Sequence, residues 1–136
     1  MGKFVATDYA ISINGTDFST SLAAATLDIS VEEQDTTAFG STARTRIGGL
    51  QDGSISLDFH QDFGASAVDA TLFPLLGANA TVVISPTSDA VSATNPAYTA
   101  VCLVTQYQPF ASSVGDLATL SVAWPITGAV TRGTGA

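Results

Sequence analysis

The chain has 136 residues, 46% of them hydrophobic and only 12% charged, whereas about a quarter are charged in a typical soluble domain. Much of its surface must therefore consist of small uncharged residues or be covered by neighbouring subunits, although an Ala-rich and Thr-rich genome gives the same bias. The net charge of −8 disfavours tight DNA binding, because a basic footprint is absent.

At this length we expect one domain spanning residues 1–136. Residues 1–8 are mixed in character and are predicted to form an N-terminal arm that is ordered only against a partner surface. A hairpin follows, because an alternating strand over residues 9–13 leads into Asn14-Gly15, a favoured two-residue turn.

Residues 26–32 alternate between apolar and polar side chains, which predicts a half-buried strand with one acidic face. The next segment, residues 33–50, has no firm pattern, and a segment of this length in a compact domain usually serves a function or docks on a partner. We expect it to form a protruding loop or hairpin. Its two arginines, Arg44 and Arg46, either bridge to carboxylates of a neighbouring subunit or are solvated.

A second alternating segment, residues 54–60, is followed by a helical pattern over about residues 66–76. Ser66 is placed to cap this helix, and Pro74 is expected to kink or break it. A helix this short is marginal alone, so it must be held by packing on a sheet.

Asp58, His60 and Asp62 fall at every second residue, so a continuing strand places them on one face, where they could bind a metal or act as an acid–base set. Alternate positions on a strand lie about 6.5 to 7 Å apart, and no second His or Cys cluster completes a site. A solvated acidic sheet face is therefore favoured. We expect no metal, no cofactor and no enzyme activity, since His60 is also the only histidine available as a base.

The second half of the chain adds predicted strands at residues 80–85, 98–107 and 117–124, and a loop with two prolines at residues 86–96. Residues 127–136 have the composition of a flexible C-terminal tail. The apolar faces of all these elements give the predicted core, which is Leu27, Ile29, Leu57, Phe59, Leu72, Phe73, Leu76, Leu120 and Trp124.

The single cysteine, Cys102, cannot form an internal disulfide and is predicted to be a small core residue. No apolar run reaches the roughly eighteen residues that a bilayer span requires. We therefore expect a soluble protein made in the cytoplasm, with no membrane partner.

Four segments carry a resemblance to a known family. They are Thr-Thr-Ala-Phe-Gly at 36–40, Leu-Gln-Asp-Gly-Ser-Ile-Ser-Leu-Asp-Phe at 50–59, Ala-Val-Asp-Ala-Thr-Leu-Phe-Pro-Leu-Leu-Gly at 67–77 and Pro-Thr-Ser-Asp-Ala-Val-Ser-Ala-Thr-Asn-Pro at 86–96. Through them the chain resembles the major tail tube proteins of long-tailed (siphovirus-like) bacteriophages over most of its length. Capsid decoration and head–tail joining proteins of phages are built from similar β-rich material, and such a role is the alternative.

The resemblance implies a mainly β fold, an antiparallel β-sandwich or barrel with one short flanking α-helix, assembled as hexameric rings that stack into a tube. In that family a long loop and a terminal arm reach the adjacent ring, which matches residues 33–50 and the extended ends of this chain. The predicted contacts between subunits are Phe39, Arg44, Arg46 and Arg132.

The implied function is that of a structural subunit of the virion tail, made in the host bacterial cytoplasm, through which DNA passes during ejection. Strands of six subunits line the channel in such tubes, and the residues predicted to face it are Asp28, Glu32, Asp58, His60 and Asp62. A negative wall lets DNA pass because phosphates find no cations to pair with. The implied partners are further copies of the chain and the tape measure, tail terminator and baseplate or distal tail proteins, with DNA as a transient, non-specific passenger.

Overall fold

The computed structural model describes residues 3–134, and within them the chain is mainly β, with two antiparallel sheets, one short helix and no closed barrel. The strands are β1 (Ala10–Ile13), β2 (Thr16–Asp17), β3 (Leu22–Asp35), β4 (Arg46–His60), β5 (Asn79–Ser85), β6 (Ala97–Leu103), β7 (Thr119–Pro125) and β8 (Thr131–Gly133). A five-stranded sheet has the order β2-β1-β5-β6-β8, and a three-stranded sheet has the order β3-β4-β7. The predicted fold class is thus confirmed in its sandwich form.

The first hairpin forms at the predicted turn. Asn14 and Gly15 both have positive φ angles, of 51° and 86°, and Asn-Gly is a preferred pair for a two-residue turn of this kind. On its other side β1 pairs with β5, and Asn14 Oδ1 accepts a hydrogen bond of 2.8 Å from the N–H of Thr81. The hairpin is therefore fixed to the middle of the five-stranded sheet.

A long central hairpin dominates the three-stranded sheet. β3 and β4 pair from Leu22 opposite Phe59 to Asp35 opposite Arg46, whereas β7 covers only the last part of β4. Every residue from 28 to 52 is exposed. We call residues 28–52 the arm. The expected loop or hairpin at residues 33–50 is thus a hairpin, and it extends further along both strands than predicted.

A glycine lies at the root of the arm. Gly53 is opposite Ile29, and a Cβ atom on Gly53 would lie 2.4 Å from the carbonyl oxygen of Asp28 and 3.2 Å from Cδ1 of Ile126. A side chain at this position would therefore push the two strands apart, and only glycine permits their close approach.

The core lies between the two sheets and includes side chains from both. Of the residues predicted for it, five are at most 1% exposed, namely Leu57, Phe59, Leu72, Leu120 and Trp124. Leu27 is half-buried and packs against this cluster. Ile29 is 40% exposed instead of lying in the core, because β3 leaves the sandwich at this point and enters the arm.

The helical segment is shorter than predicted. The helix α1 spans Val68–Leu72, and a 3₁₀ turn continues from it through Phe73–Leu75. This tighter winding breaks the 3.6-residue period, so Leu75 packs against the core while Phe73 and Leu76 are exposed. The placement of Phe73 and Leu76 in the core was wrong for this reason.

The predicted helix cap was also wrong. Ser66 has a left-handed φ angle of 58° and precedes the N-cap position, which Ala67 occupies without any side-chain hydrogen bond. The short helix is instead held by packing, since Val68 and Leu72 are both buried.

Both ends of the described chain contact the domain. Residues 3–9 form no helix or strand, yet the carboxylate of Asp8 accepts hydrogen bonds from the N–H (3.1 Å) and the hydroxyl (2.8 Å) of Ser88. At the other end β8 pairs with β6, so the predicted flexible tail contains an edge strand. Residues 1–2 and 135–136 of the predicted terminal segments lie outside the described residues. No helix among the described residues is long and apolar enough to cross a membrane.

Candidate assembly surfaces

The outer face of the three-stranded sheet is the first candidate surface. Alternate residues of β4 from Ser54 to His60 point outwards, while Ile55, Leu57 and Phe59 are buried. Directly paired residues of an antiparallel sheet point to the same side. The resulting surface, which we call the polar sheet face, consists of Ala24, Thr26, Asp28, Ser54, Ser56, Asp58, His60, Thr119, Ser121 and Ala123.

Three of the five residues predicted to face a channel share this surface. Asp28 and Asp58 lie on it with His60, at registers set by β4. Glu32 lies further out, in the arm, where its carboxylate accepts a hydrogen bond from Gln34. Asp62 lies in the loop after β4 and accepts a hydrogen bond of 2.9 Å from the N–H of Gly64. The strand therefore ends before Asp62, and the alternation from Asp58 does not continue to it.

The polar sheet face has small side chains and negative charge. None of its members is Lys or Arg, and both ion pairs among residues 3–134 lie in the arm. Within the same residues, no three His, Cys, Asp or Glu side chains converge as a metal site would need. Nδ1 of His60 is buried and has no hydrogen-bond partner in the described part of the chain. His60 is therefore not oriented by a carboxylate, as the base of an Asp–His pair would be.

The arm carries the second candidate surface, and its arginines are paired within it. Arg44 forms an ion pair of 3.0 Å with Asp35, and Arg46 forms one with Glu33. The hydroxyl and N–H of Thr37 lower the pKa of Asp35, with a smaller contribution from Arg44. Contacts of Arg44 and Arg46 with another subunit stay a prediction, and in the single chain both charges are compensated.

The arm also exposes large apolar side chains. Phe39 at its tip is fully exposed, and Val31, Ile47 and Leu50 along its strands are exposed as well. In addition, the 14-residue β3 has a free edge, since β4 is its only partner strand among the described residues. Long exposed edge strands invite pairing with another chain. Arg132, the remaining predicted contact, lies on β8 at the edge of the other sheet.

Two apolar features were missed by the sequence reasoning. Phe63 and Phe110 stack in two neighbouring loops, with ring centroids 5.7 Å apart, and both are exposed. We call them the aromatic pair. The second feature is an open groove of about 360 Å³ between the two sheets, which we call the inter-sheet groove. Its lining is Phe4, Tyr9, Ala25, Leu27, Ile29, Ile84, Ser85, Pro86 and Tyr98. A signal for the aromatic pair was available, because each Phe is an isolated apolar residue next to Gly or Pro.

A hydrogen-bond network holds the loops of the aromatic pair. The amide of Gln61 donates to the hydroxyl of Tyr107 (3.1 Å) and to the carbonyl of Pro109 (2.9 Å). The Tyr107 hydroxyl donates in turn to Asp69 (2.6 Å), and burial together with this bond raises the pKa of Tyr107 to about 12. Asp69 therefore anchors the loop before β7 to the helix.

Comparison with solved structures places this geometry among known folds. A chain in the virion of a native gene transfer agent particle superposes with a TM-score of 0.72 at 17% identity, covering 92% of this chain and 95% of that one. A chain in the tail of an empty gene transfer agent particle, refined with C6 symmetry, gives 0.68 at 17% identity, with 90% and 92% covered. The chain shares its fold with these proteins.

A more distant likeness extends the same conclusion. A chain of the six-fold symmetrised baseplate of the anti-feeding prophage superposes with a TM-score of 0.58 at 10% identity, covering 100% of this chain and 99% of that one. No family model and no curated protein matches the sequence. At these identities the likeness concerns the fold, and at that level it confirms the resemblance to phage tail proteins seen in the sequence.

Proposed function

We propose that the chain is a structural subunit of a phage-type tail tube, located in the virion tail and made in the cytoplasm of the host bacterium. Six copies close into a ring, rings stack into a tube, and DNA passes through the tube during ejection. The observation that carries this proposal is the three-stranded sheet, which combines a small-residue acidic face, a free edge and a projecting arm. The shared fold with a chain from a C6-symmetric tail supports the six-fold symmetry.

Ring closure uses the edges of this sheet. The free edge of β3 in one copy faces the β7 side of the next copy, so that the sheets of six copies form one continuous wall. A closed wall leaves no exposed strand edge, which removes the main hazard of a long edge strand. On the β7 side the carbonyl of Ala123 already accepts a hydrogen bond from Gln106, so the pairing involves only part of β7.

The polar sheet face lines the channel. Its outward side chains are Ser, Thr, Ala, Asp and His, and its carboxylates at Asp28 and Asp58 have no cation on the same face. DNA carries one negative charge per about 1.7 Å of its axis, so a wall without cations repels it weakly and offers no phosphate contact. DNA can therefore slide through without being held.

The arm reaches the adjacent ring. Its exposed apolar side chains lie on the far side of Ser54, the first residue of β4 that β7 covers, so copies in the same ring leave them uncovered. The stack ends on other proteins, for which the tape measure, tail terminator and baseplate or distal tail proteins are the proposed partners. The role is structural and requires neither catalysis nor a cofactor.

Negative-stain electron microscopy of the concentrated, purified protein tests this function. We expect rings with six-fold symmetry and tubes built from them, and dilution should return monomers. Protein that stays monomeric at high concentration would overturn the proposal. Saturable binding to empty capsids without any self-stacking would instead favour a capsid decoration or head–tail joining role.

A further inference from the structure

We propose that the aromatic pair of one subunit inserts into the inter-sheet groove of the subunit stacked next to it along the tube. The proposal rests on the proposed function, because it requires copies arranged head to tail. It names the two surfaces that meet between rings in addition to the arm.

The aromatic pair is presented in a fixed orientation. The planes of Phe63 and Phe110 are inclined by 29°, and the loop that carries Phe110 is fastened through Pro109 to Gln61. The N–H of Gln61 also donates to the carbonyl of Ala118, which fixes the other end of this loop. Two stacked rings exposed on an ordered support form a contiguous apolar patch, and such patches mark interaction sites.

The inter-sheet groove has a lining and a volume that suit the aromatic pair. None of its lining residues carries a charge, and apart from Ser85 its walls are aromatic and aliphatic side chains. Its volume of about 360 Å³ lies near the lower end of the range for sites that enclose small ligands, which suits one or two aromatic rings. The groove is open to solvent, since two of its lining residues, Ile29 and Phe4, are 40% and 48% exposed.

The two features lie at opposite ends of the same sheet. Phe63 follows the end of β4 at His60, where the loop before β7 also lies, because His60 is opposite Thr119. The groove runs along β3 from Ala25, opposite Leu57, to Ile29, opposite Gly53, and so extends to the other end, where the arm begins. Gly53 and His60 are seven positions apart on β4, a distance of about 23 Å.

This placement selects a second copy as the occupant. In a head-to-tail stack, one end of every subunit meets the opposite end of the next, so complementary features belong on opposite ends. Here the aromatic pair and the inter-sheet groove satisfy that condition. Each buried aromatic side chain removes about 150–250 Å² from water, and a ring interface repeats the contact in every subunit.

Disulfide trapping between two single variants tests the contact. One variant is Phe110→Cys and the other is Tyr98→Cys, at a residue that lines the groove from β6 and lies outside the arm. The two are mixed before assembly and then oxidised. The native Cys102 is buried, and burial raises the pKa of its thiol to about 11, so it does not compete. We expect a disulfide-linked dimer from the mixture and only monomer from either variant alone.

Leu103→Cys provides the matched control for the groove side, because Leu103 lies on the same strand β6 as Tyr98, at the far end from the groove. Mixing it with Phe110→Cys should give no dimer. Rings and tubes without any dimer from the Tyr98 mixture would overturn this inference and leave the proposed function standing. Equal dimer yields with Leu103→Cys would overturn it too, and a failure of every sample to assemble would overturn both proposals.

Discussion

Alternating apolar and polar residues run along both strands next to the domain and continue on β3 into the start of the arm, and the two halves of the central hairpin have opposite surroundings. In the half next to the domain, residues 54–60 bury every second side chain against the core, whereas in the arm both faces of residues 28–52 are exposed. The difference comes from β7 and the five-stranded sheet, which cover only the half next to the domain. A period of two thus specifies a strand and its faces, while burial is decided by neighbours, which for the arm are other subunits in the proposed tube.

A leucine in each half gives the strongest test of this contrast. Leu57 is 0% exposed and Leu50 is 77% exposed. Leu57→Ala should lower the free energy of unfolding of the monomer by about 2–5 kcal/mol, because it leaves a cavity. Leu50→Ala should change that free energy by no more than about 0.5 kcal/mol, and should instead weaken tube formation.

Urea unfolding of dilute protein measures the first effect, and electron microscopy at high concentration measures the second. Equal losses of monomer stability in the two variants would mean that the arm is packed within its own chain, which contradicts the contrast.

Gly53, the residue between the two halves, has no room for even one added methyl group. Gly53→Ala would place a Cβ atom 2.4 Å from the backbone of Asp28, so we expect a loss of about 1–3 kcal/mol in unfolding free energy. Gly48→Ala, in the arm, meets only Cγ1 of Val31 at 3.3 Å, a side-chain atom that can move aside. Denaturant unfolding should separate the two, and equal stabilities would show that the strands at Gly53 can spread freely.

Burial was predicted from the sequence more accurately for the half of the hairpin next to the domain than for the arm. Leu57 and Phe59 follow from alternation alone, and they are buried. Ile29 has the same pattern but is exposed, because the end of the covering strand at Pro125 cannot be read from β3. Asp58 and His60 share a face as their spacing predicts, whereas the groove and the aromatic pair arise from chain segments far apart in sequence, and no local pattern encodes such contacts.

In the proposed tube, only the half next to the domain faces the passing DNA. Asp58 lies on the polar sheet face and Glu32 lies in the arm, and neither is in an ion pair. Tubes of Asp58→Lys should retain short duplex DNA at low salt and release it as salt rises, because each phosphate contact releases about 0.9 counterion.

Glu32→Lys makes the same change in net charge, and tubes of this variant should not retain DNA. A DNA co-sedimentation assay with assembled tubes compares the two. If the Glu32→Lys tubes retain as much DNA as the Asp58→Lys tubes, the polar sheet face is not the channel wall.

The smallest expected difference concerns acid stability. The hydroxyl and N–H of Ser19 lower the pKa of Asp17 in the domain, and those of Thr37 lower the pKa of Asp35 in the arm, both from the usual 3.8. A lowered folded-state pKa stabilises the protein above pH 3.8, and this stabilisation is lost as the pH falls through the lowered value. Asp17→Asn should therefore reduce the melting temperature slightly at neutral pH and match the wild type in strong acid.

Asp35→Asn should leave the melting of the domain unchanged at both pH values. A two-stranded hairpin without a third strand opens locally before the rest of the protein unfolds, so a bond lost at its tip does not enter the global free energy. Thermal unfolding of dilute protein, followed by circular dichroism, measures both variants. A loss for Asp35→Asn equal to that for Asp17→Asn would show that the arm and the domain unfold as one unit, and the arm would then draw its order from its own chain and need no neighbouring ring.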